Sequence, residues 1–158
     1  MKTSQLINLD PSIRINKEAT CPSLSGKSTL TYHIGCNSES DILLRVFANT
    51  GGGFFSKEWV SLNTIFQAFD KKAADKPIVS LLLYPLFQGK SLNTPAFLLA
   101  VLKQEGLVIP LEDHPKHYER IPSDAFMAEI EKLIQSKVDL KTDEAKPVVP
   151  AKKSASKN

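Results

Sequence analysis

Ser23, Leu24, Ser25, Gly26, Lys27 and Ser28 set a glycine and a lysine among three hydroxyls, a combination that can wrap an anion such as phosphate. A nucleotide loop of that kind needs a strand leading in and a helix starting at the lysine, whose free amides hold the phosphate. Here Cys21 occupies the position that requires glycine, Asn16 to Thr20 is polar, and Ser28 to Ile34 alternates polar and apolar residues as a strand does. The string therefore reads as a Ser/Gly turn. A second glycine cluster, Gly51 to Gly53, lies between two β-prone runs, where it reads as a hairpin loop and not as a dinucleotide fingerprint.

Metal and covalent chemistry find weaker material. The imidazole and thiol ligands are Cys21, Cys36, His33, His114 and His117, with no Cys-x-x-Cys pair, and His114 and His117 flank an expected turn at Pro115. Two cysteines make no disulfide framework, and both are expected as buried thiols. Neither a Gly-x-Ser-x-Gly elbow nor a cysteine-nucleophile signature occurs, and the adjacent carboxylates Glu112 and Asp113 sit in a turn. The expectation is a protein without catalytic activity, metal or cofactor.

Charge points elsewhere. The formal charge is +3, yet Lys146, Lys152, Lys153 and Lys157 stand without an acid from Ala145 onward, leaving 16 basic against 17 acidic residues over 1–144. The positive charge thus belongs to the tail. Residues 138–158, rich in Lys, Pro and Ala, have no aromatic residue and no amphipathic period, so they are expected to be disordered. Four lysines there can attract a phosphate backbone with salt-sensitive affinity, or serve only as a solubilising terminus.

The elements that must position these residues follow from periodicity. Residues 1–22 read as an extended N-terminal arm and 23–137 as one compact α+β domain, for which 42% apolar residues supply a core. Leu30, Tyr32 and Ile34 share one strand face; Asp41 to Ala48 and Phe54 to Val60 complete an antiparallel meander around the glycine loop. Leu62, Ile65, Phe66 and Phe69 then fall on one helical face, with Ser61 or Asn63 as cap. Ile78 to Phe87 fits a buried strand or, preferably, a short buried helix.

The next helix has Thr94 as cap, Pro95 in its first turn and Gly106 past its end. Leu107 to Ile121 predicts a hairpin, and Ser123 caps a final amphipathic helix with Phe126, Ile130, Leu133 and Ile134 as its stripe. From Leu62 to Ile121 the order helix, helix, helix, hairpin is that of a winged helix-turn-helix, with Ser91 to Gly106 in the place of the reading helix. Its centre, Ala96 to Leu102, is apolar on every side, which favours a core helix, or one whose outer face (Ala96, Leu99, Ala100, Lys103) meets another chain.

The first expectation is a non-enzymatic accessory protein that binds nucleic acid, most simply DNA, through its tail and a hairpin or glycine loop. Its candidate contacts are Lys90, Asn93, Lys103, Lys116, Arg120, Lys146, Lys152, Lys153 and Lys157. The alternative is a protein interaction module or homo-oligomer using the apolar faces of residues 78–102. No apolar run approaches the roughly 20 residues of a bilayer span and no leader is evident, so a cytoplasmic location is expected, away from membranes.

Overall fold

The computed structural model describes residues 10–89 and 91–140. Lys90 and the four tail lysines lie outside them. Four strands, β1 (Arg14–Pro22), β2 (Thr29–Cys36), β3 (Ile42–Asn49) and β4 (Val60–Ser61), form an antiparallel sheet in chain order. Helix α1 (Leu62–Lys71), a 3-10 helix (Ser80–Leu86) and helix α2 (Asn93–Gln104) follow; then come the hairpin β5 (Val108–Leu111) and β6 (His114–Arg120) and helix α3 (Asp124–Gln135). This is an α+β fold. Among the described residues no helix is long and apolar enough to cross a membrane.

Alternation decides the two faces of the sheet. Leu30, Tyr32 and Ile34 of β2 join Ile42, Leu44 and Val46 of β3 in the main core, beneath the helices. Leu43 faces the other way, with Ile13, Ile15 and Trp59, in a smaller cluster that Leu140 helps to cover. Gly35 lets that cluster close: a Cβ there would stand inside van der Waals distance of the Arg14 carbonyl oxygen and 3.1 Å from Trp59 Cη2. Only a hydrogen fits.

The helix ends obey local rules in part. Ser61 caps α1, its hydroxyl accepting from Thr64 N at 3.0 Å. Gly106, at φ 79°, ends α2 with bonds from Gly106 N to Lys103 O and from Leu107 N to Leu102 O, the pairing of a Schellman turn. The other two caps differ from expectation. Helix α2 starts at Asn93, so Ser91, not Thr94, receives an early amide, that of Asn93; Thr94 Oγ1 instead accepts from Ser56 N at 2.9 Å. Pro95 remains harmless in the first turn, where amides have no intrahelical acceptor. The Ser123 side chain makes no capping bond.

Three further expectations change. The stretch read as an arm is, from Arg14 to Pro22, the edge strand β1, paired along its length with β2. Phe54 to Val60 is not a second hairpin strand, because only Val60 and Ser61 pair with β3. Residues 54–58 are bound by other partners: Glu58 accepts from Gln88 N and Gly89 N at 2.8 and 2.7 Å, and Phe54 O accepts from Ser91 Oγ and Asn93 Nδ2 at 2.7 and 2.9 Å. Finally, Val138 and Asp139 belong to the body, since Val138 O accepts from Asn16 Nδ2 and Asp139 Oδ1 from Ile15 N. The chain from 141 onward lies outside the described residues.

Ile78 and Tyr118 exchange two backbone bonds, of 2.8 and 2.9 Å, fastening the hairpin to the segment after α1. Helix α2 is enclosed: Leu98, Leu99, Ala100, Val101 and Leu102 are all buried, Ala96 is half-buried, and Lys103 is exposed. Leu99 and Ala100 therefore present no outer face, because the chain's own sheet, 3-10 helix and hairpin surround the helix.

Replacing Gly35 by alanine is expected to lower unfolding stability by about 1–3 kcal/mol, the cost of an overpacked site. Urea denaturation measures it. A loss below a few tenths of a kcal/mol would mean that β1 and Trp59 do not close over β2 as described.

Candidate functional site

A cleft of about 680 Å³ opens beside the start of α2. One lip is the β1–β2 turn with Ser23, Ser25, Lys27 and Ser28; beside it runs the stretch at the end of β3 with Asn49, Gly51 and Gly52; β6 adds Pro115 and Lys116. Half-buried Leu24, Ala96 and Phe97 supply apolar surface over the buried Leu99 and Tyr118, and Asn93 stands at the helix start.

The lips are held firmly. Ser23 N donates to Ser28 O and Gly26 N to Ser23 O, both at 2.9 Å, which closes the turn. Thr29 and Thr50 exchange bonds of 2.9 and 3.0 Å, and Gly51 lies so close to Ser28 that an added Cβ would meet Ser28 Cβ at 3.1 Å. Turn and loop thus form one wall. Asn49 Oδ1 accepts from Gly51 N at 3.1 Å, while the Gly52 amide bonds to no described residue.

Electrostatically the cleft is one-sided. Lys27 and Lys116 are exposed, and neither ammonium group pairs with a described residue. Among the described residues no carboxylate, histidine or cysteine lines the cleft. Tyr118 is buried, and burial raises the pKa of its phenol; its hydroxyl makes no hydrogen bond to a described residue. Such a lining can hold an anion and shelter an apolar ring.

Of the residues singled out from sequence, the fold gathers Asn93 and Lys116. Lys103 projects from the far end of α2. Arg120 is committed elsewhere: it bonds Asp70 at 3.0 Å and stacks 4.2 Å from the Phe66 ring centroid. It lines a different groove, of about 410 Å³, where Lys72 and Lys76 are offset by Asp75, Asp113 and Glu119. Lys27, Phe97 and Tyr118 are additions. Lys27 lies in the one string with phosphate-like chemistry, whereas nothing in the spacing of Phe97 and Tyr118 announces a shared cleft.

Two other constellations hold titratable groups. On the outer sheet face His33 is sealed: its Nε2 lies 2.9 Å from Glu18 Oε2, and Arg45 Nε donates to Nδ1 at 3.1 Å, which fixes the proton on Nε2. Burial lowers the His33 pKa, Arg45 lowers it further and Glu18 opposes both. Arg45 also lies over Trp59, 4.4 Å from the ring centroid. On the core side Glu105 accepts from Tyr32 Oη and pairs with Lys17 at 3.0 Å; Lys17 also reaches Glu129 at 2.9 Å. Burial raises the Tyr32 phenol and lifts the Cys21 thiol to about 11, against formation of the thiolate. Among the described residues no group of three or more His, Cys, Asp or Glu side chains could hold a metal ion. His114 and His117 are stacked with ring centroids 3.7 Å apart.

Comparison of the chain with protein families, curated proteins and solved structures returns no match.

His33 ties stability to pH. Its ordinary pKa of 6.5 is lowered in the fold, so below that value the unfolded chain takes up a proton before the folded one. Stability should therefore fall as pH drops from about 7.5 to about 5.5, and fall less in His33→Gln. Equal slopes in urea denaturation across that window would show that His33 does not contribute.

Proposed function

We propose that this chain is a non-enzymatic nucleic-acid-associated protein whose cleft contacts the phosphate backbone. One observation carries the reading: Lys27, Lys116, Gly52 and the serines of the β1–β2 turn line one cleft that no described carboxylate lines. Phosphate contacts use this chemistry, with lysine as a point charge and amides and hydroxyls as donors. A lining made of lysines, hydroxyls, amides and apolar side chains favours binding over catalysis.

The order of elements adds support. Helix α1, the residue Ile78 paired to β6, the 3-10 helix, α2 and the hairpin follow one another as in a winged helix-turn-helix. That is an analogy of order alone. With α2 enclosed, base reading by that helix is set aside, and Lys116 of β6, which lines the cleft, takes over the contact. Lys146, Lys152, Lys153 and Lys157 add nonspecific attraction, which strengthens association without choosing a sequence.

A second reading, as a protein interaction module, rests on Phe54 and Leu92. They are 73% and 68% exposed on loops joined by the Ser91 and Asn93 bonds to Phe54 O. If it holds, light scattering should find a dimer or larger species that Phe54→Glu converts to monomer. A wild-type chain that stays monomeric at high concentration argues against it.

For the first reading, the full-length double variant Lys27→Glu, Lys116→Glu should bind a mixed-sequence DNA probe more weakly. The slope of log affinity against log salt should fall by about two, one for each phosphate that a lysine no longer neutralises. Fluorescence anisotropy across a salt series measures both quantities. Affinity and slope equal to wild type would sink the proposal.

A further inference from the structure

We infer that the cleft seats one nucleotide of an unpaired strand, which makes single-stranded nucleic acid the ligand class; this rests on the backbone-binding reading above. Phosphate chemistry accounts for the lips but not for the floor. A duplex keeps its bases stacked inward and shows a protein phosphates, sugars and groove edges. It could touch Lys27 and Lys116 from outside, yet it would leave Phe97 and Leu24 uncovered. An unpaired strand has a base to lay against an aromatic ring, and such stacking is the usual partner of a basic groove in single-strand binding.

The geometry of the floor fits that occupant. About 680 Å³ falls within the range of sites that take a small ligand, roughly 300–1,000 Å³. Phe97 is half-buried and braced edge-on by Phe55, with ring centroids 5.8 Å apart and planes at 61°, so its position in the wall is fixed before any ligand arrives. Pre-set aromatic surface binds at lower entropic cost than a mobile side chain.

Polar groups suited to a base edge stand beside it. Asn93 spends its Nδ2 on Phe54 O, which leaves Oδ1 without a partner among the described residues, and the Tyr118 hydroxyl is likewise unspent. Both residues line the cleft together with Lys27 and Lys116, so polar and charged groups border its apolar surface; Tyr118 also lines the second groove. A nucleotide combines the same kinds of surface, with its charge at the phosphate and its ring at the other end.

The experiment compares oligo(dT) with a duplex of equal length, by fluorescence anisotropy on the full chain at about 0.15 M salt. Oligo(dT) should bind more tightly than duplex. Phe97→Leu, which keeps an apolar side chain but removes the ring, should weaken oligo(dT) roughly tenfold and duplex by clearly less. A thermal melt of the variant reports whether it stays folded; if it does not, the wild-type preference between the two probes decides. Equal or tighter duplex binding, or a folded Phe97→Leu protein that holds oligo(dT) as wild type does, overturns the single-strand inference. Either result leaves the backbone-binding reading standing as long as binding depends on Lys27 and Lys116. Binding that depends on neither lysine, to either probe, overturns both.

Discussion

Helix α2 has no polar side over Ala96 to Leu102, and the rest of the fold is arranged to keep that surface from water. Each buried leucine at 98, 99 and 102 contributes about 1.5–3 kcal/mol on transfer, more than the roughly 0.5–1.5 kcal/mol of a typical hydrogen bond between neutral groups. A helix of this kind needs partners all round. The sheet covers one side and the 3-10 helix and the hairpin most of the rest, leaving Ala96 and Phe97 half-buried at the cleft. The Schellman turn at Gly106 then sends the chain directly into β5, so the hairpin returns across the helix instead of leading away from it.

Burying the helix brings its polar C-terminal end against the sheet, where Glu105 has to be neutralised. Its side chain is only 4% exposed, and a carboxylate taken from water without a partner costs several kcal/mol. Tyr32 and Lys17 supply the partners, from β2 and β1. Lys17 in turn holds Glu129 of α3. Burial alone would lower the Lys17 pKa, but the hydrogen bonds and charges of Glu129 and Glu105 more than offset it and leave the pKa raised. The network is better understood as fixing register among β1, β2, α2 and α3 than as net stabilisation, since an apolar replacement of equal volume could pack as well.

Much of this was legible wherever one residue pattern decides one element. The stripe Leu62, Ile65, Phe66, Phe69 gave α1 and its face, Gly106 gave the end of α2, and Ala96 to Leu102 announced a core helix. Legibility failed where a distant segment supplied the partner. Phe54 to Trp59 has strand-like residues, but Ser56 and Glu58 find hydrogen-bond partners around the start of α2, and those bonds displace the ladder. Thr94 resembles a cap by position and serves as an acceptor for Ser56. Val138 and Asp139 look like the start of a tail and prove to be anchored by Asn16 and Ile15. The cleft belongs to the same class: Lys27, Asn93 and Lys116 are far apart in sequence, and only the wrapping of loops around the start of α2 brings them to one cavity.

That wrapping also reconciles a near-neutral body with a positive cleft. Over residues 1–144 acids outnumber bases by one, 17 to 16, so no net attraction for phosphate is expected from the whole. Charge acts over about 8 Å at physiological salt, however, and placement therefore outweighs the total. Many acids are engaged away from the cleft: Glu18 with His33, Glu58 with two amides, Asp70 with Arg120, Glu105 and Glu129 with Lys17. Asp113 and Glu119 line the groove on the other side of the hairpin. Around the start of α2 stand Lys27 and Lys116, with no described residue of opposite sign in the lining. The phosphate-like string at Ser23 to Ser28, which fails as a nucleotide loop for want of a following helix, acquires a basic partner from the hairpin instead, through tertiary structure and not through local sequence.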